Sequence, residues 1–490
     1  MPALEVGLAQ LKALALHLTR STATSEPTSS SRPLPLEVGI MPYESLPTEL
    51  WSLAFSHLDS RKDRSTLASI CLVSKFFDCL ARPILFSTFQ INSQQSNEHL
   101  TQALNVDGNG EWLGSLVKEA EVEIMAASGV VDLSDTRLFW KGGSFQCRRA
   151  LFALRLCGNI HHLSFVLDRR KIGDDSWTRR NGLIQVPHKS LLFQLPCTSV
   201  LRSLSLKFGH HDDHFYDIQL FGEFIVACPQ LEELSISNVI NLSALLSPLM
   251  RSSNRTKLPN LARLTVEAIE PSGEDIIRFR MELSICLNNI TSVRHLTLRA
   301  EDICGSFWNT QFLSTTTQPM SAIQTLRMYT LCNGSDGAGR LNFLQALFPS
   351  ITQLHIYLKQ VSSLTCATEA VPKFEHLQQL SLDFDLAIHH RLHGKHCSYL
   401  PVGLDIKLQE WEPLFEDGKP ALPVLQKCCF RFIVADCASK DEMNELAGNM
   451  RLWAEKKVSC GQQLIAVKRA DQSGDSVVTM KEKGGNWLRV

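Results

Sequence analysis

One pattern of apolar and polar positions recurs through the middle of the 490-residue chain. It has the form apolar-x-x-Leu-x-apolar, and in the most regular copies the central leucines follow one another at steps of 26 to 32 residues. Those leucines are Leu204, Leu234, Leu264, Leu296, Leu326, Leu354 and Leu380. An earlier copy is centred on Leu163, and weaker copies span 117–122 and 425–430. Such alternation predicts a strand buried on one face, and the period leaves room for a helix in each repeat.

The segments between the strands contain helix and turn signals. Apolar residues recur at helical spacing over 276–287 and 341–348. Prolines stand two residues before the first apolar position of four repeats, at Pro229, Pro259, Pro349 and Pro423. There they end a helix and favour extended backbone. The units resemble leucine-rich repeats, although no Asn or Cys recurs after the strand. The resemblance implies an α/β fold, an irregular solenoid of parallel strands and helices.

In such strands the residues between the apolar positions point away from the core, so they predict a binding surface on the outer face of the sheet. The predicted target-binding residues are Lys207, Glu267, Arg299, Arg327, Tyr329, His355, Tyr357 and Asp383. Arg327, Tyr329, His355 and Tyr357 stand out, since Tyr and Arg are enriched where binding energy concentrates. Arg299 and Arg327 would also suit a phosphate group on the target.

A different pattern occupies residues 45–86. Pro47 suits the first turn of a helix, and Leu50, Leu53, Phe55 and Leu58 follow it at helical spacing. A second helix is predicted from Ser65 to Arg82, ended by Pro83, and it is apolar nearly all round. A unit of this size cannot bury two apolar faces by itself. One face should therefore meet another protein, unless the segment is a hairpin inside a larger core.

The same residues resemble the F-box motif in its fungal form. The resemblance rests on Leu46 to Leu50, Phe55, Leu58, Cys71 to Lys75 and Leu80 to Pro83, whereas Ala54 and Trp51 depart from the usual residues. It implies a three-helix module that docks on the Skp adaptor of a cullin-RING (SCF-type) ubiquitin ligase. The residues expected to bind the adaptor are Leu46, Pro47, Leu50, Phe55, Leu58, Leu72, Val73 and Phe76.

These patterns divide the chain into four parts. Residues 1–40 predict a disordered or weakly helical tail, 41–90 the F-box-like module, and 91–438 the solenoid with insertions near 169–188 and 389–420. Translation starting at Met41 is an alternative to Met1. Residues 439–490 predict a capping helix and tail, since Ser439 and Glu442 have the spacing of a capping box.

Composition narrows the function classes. A net charge of -1 and a pI near 7.0 disfavour nucleic-acid partners. Fifteen scattered cysteines without a secretory leader predict buried thiols in a reducing compartment, cytoplasmic or nuclear, and no apolar run is long enough for a membrane span. Histidine clusters at 210–214 and 389–396 allow a metal site or, more simply, solvated loops. No catalytic or cofactor motif is present, so neither an enzyme nor a cofactor is expected.

The expected function is therefore that of a non-catalytic substrate receptor of a ubiquitin ligase. The module would bind the adaptor, and the solenoid would hold a protein target that the sequence does not identify. The main alternative is a repeat scaffold with no role in degradation. A hydrolase or transferase with a hidden site is a third hypothesis, and it predicts a deep pocket rather than an open sheet.

Overall fold

The computed structural model describes much of the repeat region and the helical segment before it. The described residues are 47–91, 109–125, 153–168, 192, 194–208, 218–239, 242–250, 258–268, 290–300, 319–330, 345, 347–358, 374–386, 412, 415, 422–458, 460–470, 476–482 and 487–489. They form helices and a single mostly parallel sheet. The predicted N-terminal tail and the two histidine clusters lie outside these residues.

The N-terminal part is a unit of three helices, α1 (Thr48–Ser56), α2 (Arg64–Val73) and α3 (Lys75–Leu85). Pro47 precedes α1, and its carbonyl oxygen accepts a hydrogen bond from the Leu50 N–H at 3.0 Å. The single helix predicted from Ser65 to Arg82 is wrong, because Ser74 is extended and its Oγ accepts the Phe77 N–H at 3.2 Å. Pro83 lies inside the last turn of α3 instead of ending it.

This helical unit has a core of its own. Trp51, Phe55, Leu67, Phe77 and Ala81 are buried together, apart from the larger core of the repeats. The Trp51 and Phe77 rings meet edge to face with centroids 4.9 Å apart, a favoured arrangement for aromatic pairs. The unit therefore buries one apolar face internally.

The strands form one sheet, in which each strand lies beside the next one along the chain. They are β1 (Thr88–Ile91), β2 (Glu119–Met125), β3 (His162–Asp168), β4 (Ser203–Phe208), β5 (Glu233–Val239), β6 (Arg263–Ala268), β7 (His295–Ala300), β8 (Thr325–Thr330), β9 (Gln353–Leu358), β10 (Gln379–Asp385), β11 (Lys427–Val434), β12 (Gln462–Arg469), β13 (Ser476–Glu482) and β14 (Leu488–Arg489). Strands β1 to β12 run parallel, and β13 and β14 are antiparallel additions. The α/β class with parallel strands and helices is confirmed.

The register of the sheet follows the leucine pattern. Each central leucine pairs with that of the next repeat, from Leu163 on β3 to Leu380 on β10, and Leu380 then pairs with Cys428. All of these side chains are buried in the main core. The period read from the sequence therefore gives the correct strand-to-strand alignment.

A tight turn precedes most of these strands. The Leu231 N–H donates to the Cys228 carbonyl at 3.2 Å, and the Ile351 N–H donates to the Phe348 carbonyl at 3.3 Å. Pro229 and Pro349 occupy the second position of these turns, where the fixed proline φ is favourable. Two N–H groups at each strand start then donate to one carbonyl of the preceding repeat, as Ala262 and Arg263 do to Glu232.

Helices lie between several strands. They are α4 (Asn109–Leu116), a 3₁₀ turn (Pro196–Ser199), α5 (Ile218–Val226), α6 (Leu242–Met250) and α7 (Lys440–Lys457). Gly222 marks a close approach of α5 to α6, because a Cβ placed there would lie 2.1 Å from the Leu245 carbonyl oxygen. The helical stripes predicted at 276–287 and 341–348 fall largely outside the described residues.

The C-terminal part differs from the predicted helix and tail. Helix α7 has the capping box that was predicted, with Ser439 and Glu442 bonded reciprocally. After it, however, β12 extends the parallel sheet and β13 and β14 continue it. Strand β12 has Gln463 in the leucine position, so the repeat pattern is not visible there. The Gln463 side chain is buried, and its Nε2 donates to the Val458 carbonyl at 2.6 Å.

A short connection, held by hydrogen bonds, joins the helical unit to the sheet. Helix α3 ends at Leu85 and β1 begins at Thr88. The Ser87 carbonyl accepts the N–H groups of Lys118 and Glu119 at 2.8 and 2.9 Å. Buried Ser60 shares a 2.9 Å hydrogen bond with the Thr88 hydroxyl. The Ser60–Thr88 hydrogen bond ties the loop between α1 and α2 to the first strand. The Ser87 hydrogen bonds hold the start of that strand beside β2.

Candidate functional site

Two surfaces of the chain contain the residues predicted to bind partners. The first is the surface of the helical unit. Leu50 and Leu53 on α1 are each 51% exposed, whereas on α2 Leu72 is 88% exposed and Val73 is 44% exposed. Pro47, at the start of α1, is exposed as well. Apolar side chains this exposed contribute little to the core of the unit, which is formed by other residues.

The other predicted adaptor residues lie elsewhere. Phe55 is buried in the core of the helical unit, with its ring centroid 5.9 Å from that of Phe77, so its expected position on the docking surface is wrong. Phe55 fits the helical spacing of α1 whether it faces the core or the solvent. Only the packing of α3 determines that it is covered. Leu58 and Phe76 are half-buried against this core. Leu46 lies outside the described residues.

The second surface is the outer face of the sheet. Six of the eight predicted target-binding residues fall in one row across adjacent strands, with Ser237 and Arg431 completing the row. In strand order the row is Lys207, Ser237, Glu267, Arg299, Tyr329, Tyr357, Asp383 and Arg431. The neighbouring row contains the other two, Arg327 and His355, paired with each other. The strand register therefore brings the predicted residues together.

Exposure varies along this face. Lys207 and Arg327 are exposed, and Glu267, His355 and Tyr357 are half-buried. Asp383 was expected to face solvent, but it is buried. Its carboxylate lies 3.0 Å from His355 Nε2 and 3.3 Å from Arg431 Nη1, so side chains of both neighbouring strands cover it. Arg431 was not predicted because it lies 48 residues from Asp383, beyond an insertion that interrupts the repeat period.

Asp383 belongs to a polar cluster at this end of the sheet. Beside it, the Tyr357 hydroxyl donates to Asp385 Oδ2 at 2.6 Å. Ser381 and Asp385 are buried as well. Buried polar groups are retained when each is matched by a partner, and losing one partner leaves the others uncompensated. The cluster thus fixes the positions of Tyr357 and His355 on the outer face.

We expect Asp383→Ala to lower the free energy of unfolding by about 2 kcal/mol, because it leaves the partly buried Arg431 without its counter-charge. A thermal unfolding midpoint measured by circular dichroism checks this. Glu232→Gln is the matched control, since it breaks a 3.7 Å pair with Arg202 in which both side chains are about half exposed. It should cost under about 0.5 kcal/mol. Equal effects of the two substitutions would contradict a structural role for the Asp383 cluster.

The described cysteines include a buried group from successive repeats. Burial raises the pKa of the Cys157 and Cys197 thiols to about 12 and raises the pKa of Cys228 as well. The Cys228 thiol donates to the Phe224 carbonyl at 3.3 Å. These thiols stay protonated at neutral pH and act as small apolar side chains.

The described residues contain no group of three or more His, Cys, Asp or Glu side chains placed to hold a metal ion. Within the same part of the chain, every helix is too short or too polar to cross a membrane. The histidine clusters that allowed a metal hypothesis are outside this part. No protein-family model matches the chain, and no curated protein is similar to it in sequence.

Proposed function

We propose that this chain is a substrate receptor of a cullin-RING ubiquitin ligase. The helical unit would dock on the Skp adaptor as an F-box does, and the outer face of the sheet would hold a protein target. The observation that carries the proposal is the exposure of Leu50, Leu53, Leu72 and Val73 on a unit whose sequence resembles the F-box motif.

Four exposed apolar side chains on two helices of one small unit favour a protein interface. Burying one such side chain contributes roughly 1.5–3 kcal/mol, so a partner that covers them would gain binding free energy. The alternative of an internal hairpin requires these residues to be covered by the rest of the chain. Among the described residues, the core of the unit covers the opposite faces, with Trp51, Phe55, Leu67 and Phe77.

The outer face of the sheet has the composition expected of a target-binding surface. It places Arg327 beside His355, and Tyr329 beside Tyr357, on adjacent strands. Arginine and tyrosine are the residues that most often dominate binding energy at interfaces. Tyr357 donates a hydrogen bond to Asp385, and His355 Nε2 lies 3.0 Å from the Asp383 carboxylate, so contacts with β10 restrain both side chains and limit the conformational entropy lost on binding.

The mechanism that follows is catalysis by proximity. The chain would make and break no bonds. It would raise the effective concentration of the target near a ubiquitin-charged enzyme held elsewhere in the ligase.

Co-elution of the purified full chain with the Skp adaptor in size-exclusion chromatography tests the proposal. We expect a stable complex. A well-folded chain that elutes alone would overturn the adaptor-docking role and favour a repeat scaffold.

The scaffold alternative can also be separated from the receptor in cells. Once a target is trapped, its half-life is compared with and without residues 45–86 of this chain. A receptor shortens the half-life only when these residues are present, whereas a scaffold leaves it unchanged.

A further inference from the structure

A basic patch lies on the outer face at strands β6, β7 and β8. It consists of Arg263, His295 and Arg327, which are all exposed. Arg263 on β6 pairs directly with His295 on β7, and Arg327 on β8 pairs with Thr297, two residues after His295. Thr265 and Thr297 lie half-buried between these side chains. Three cationic or protonatable groups and two hydroxyls thus share one area of the face.

Two arginines lie close enough to His295 to affect its protonation. Partial burial, Arg263 and Arg327 together lower the pKa of His295. Strands β7, β8 and β9 contain no carboxylate, whereas β6 carries Glu267 and β5 carries Glu233, which pairs with Arg263. The patch is therefore locally basic, although the whole chain has a net charge of -1.

We propose that Arg263, His295 and Arg327 form a subsite for an acidic, Asp- or Glu-rich segment of the target. The inference deepens the proposed function, because it takes the outer face to be the target-binding surface. Arg263 and Arg327 stand two strands apart and are offset by two residues along the strands, which makes about 12 Å at the usual strand geometry. Acidic residues four positions apart in an extended peptide point to the same side and span a similar distance, about 13 Å. An extended segment crossing the strands would place one carboxylate at each arginine.

The spread of charge favours separate carboxylates over one phosphoryl group. A single dianion binds best where several donors converge on one point. Here Arg263 and Arg327 lie on two strands that are separated by β7, and His295 on β7 adds a third donor between them. The threonine hydroxyls can donate hydrogen bonds to the carboxylates from below.

Fluorescence anisotropy with the purified full chain tests the proposal. The probe is a fluorescein-labelled Gly-Ser peptide of about twelve residues with glutamate at every fourth position, compared with the same peptide containing glutamine. We expect the glutamate peptide to bind about tenfold more tightly at physiological salt, the effect of two exposed ion pairs. Arg263→Gln with Arg327→Gln should remove this preference.

A matched control removes two charges elsewhere. Arg451→Gln with Lys456→Gln changes exposed residues of α7, whose buried face packs into the core and not onto the outer face. It should change affinity less than about twofold, since salt screens distant charges. Equal weakening by both double variants, or equal binding of the glutamate and glutamine peptides, would overturn the proposal. A phosphoserine peptide binding more than tenfold tighter than the glutamate peptide would reassign the patch to phosphoryl groups.

Adaptor co-elution of the same variants keeps the two proposals apart. The Arg263 and Arg327 substitutions should leave adaptor binding and the thermal midpoint unchanged. If the peptide binds and the adaptor does not, the receptor role fails and the acidic-segment subsite remains. If the adaptor binds and the peptides do not, only the subsite is lost.

Discussion

Leu50→Asp combined with Leu72→Asp is expected to abolish co-elution with the Skp adaptor without lowering the thermal midpoint of the chain. In the unbound protein these positions are 51% and 88% exposed, so aspartate remains solvated there. In an interface each substitution loses the burial of a leucine and desolvates a carboxylate without a partner. The combined loss is about 4 kcal/mol or more, close to a thousandfold in affinity.

Leu452→Asp is the control for this double variant. Leu452 is 50% exposed, like Leu50, but it lies on α7 at the other end of the chain. It should leave adaptor binding intact. Full adaptor binding by the double variant would rule out docking through Leu50 and Leu72. A large drop in its thermal midpoint would instead show that the leucines pack inside the chain, as the hairpin hypothesis requires.

Gly222→Ala is expected to destabilise the repeat region strongly. The added Cβ would lie 2.1 Å from the Leu245 carbonyl oxygen and 2.9 Å from the Pro248 ring, so α5 and α6 must separate. Backbone at this distance cannot move aside as a flexible side chain can. Separation loosens the packing of Phe221, Phe224 and Leu245, which are all buried. We expect a loss of about 3 kcal/mol, measured as a lower thermal midpoint.

Gly448→Ala gives the opposite sign in the same measurement. Gly448 lies within α7, and an added Cβ there meets nothing within 4 Å. Alanine should stabilise the helix by about 0.5–1 kcal/mol, because it loses less backbone entropy than glycine. If Gly222→Ala proved as stable as the wild type, the close approach of α5 to α6 would be wrong.

The sequence predicted the sheet well where side-chain periodicity alone determines it. A buried leucine at the same place in each repeat defines the register, so the alignment of Leu204 with Leu234 and Leu264 follows from counting. Strand β12 escaped prediction because Gln463 replaces the leucine and donates its amide N–H to the Val458 carbonyl, a partner that no periodicity indicates. The break at Ser74 was missed because the apolar residues on its two sides continue one helical stripe.

Among the predicted binding residues, too, some properties follow from periodicity and others from packing. Their row across the sheet follows from register, and Lys207 and Arg327 are exposed as predicted. The burial of Asp383 depends on Arg431, which is 48 residues away in the sequence and beyond an insertion. The burial of Phe55 depends on the position of α3. Both are consequences of packing between elements, which a pattern within one element does not contain.

The junction between α3 and β1 has a geometric consequence for any target held by this chain. A Gly- or Ser-rich linker would let a target sweep a wide volume around the adaptor. Here Ser60 bonds to Thr88, and Arg61 lies 3.5 Å from Glu121 on β2, so the first helices and the sheet are fastened at more than one point. Under the proposed function, a receptor built in this way would hold its target at a fixed distance from the adaptor. The lysines that receive ubiquitin would then be chosen by where they stand on the target's surface, and not by the residues around them.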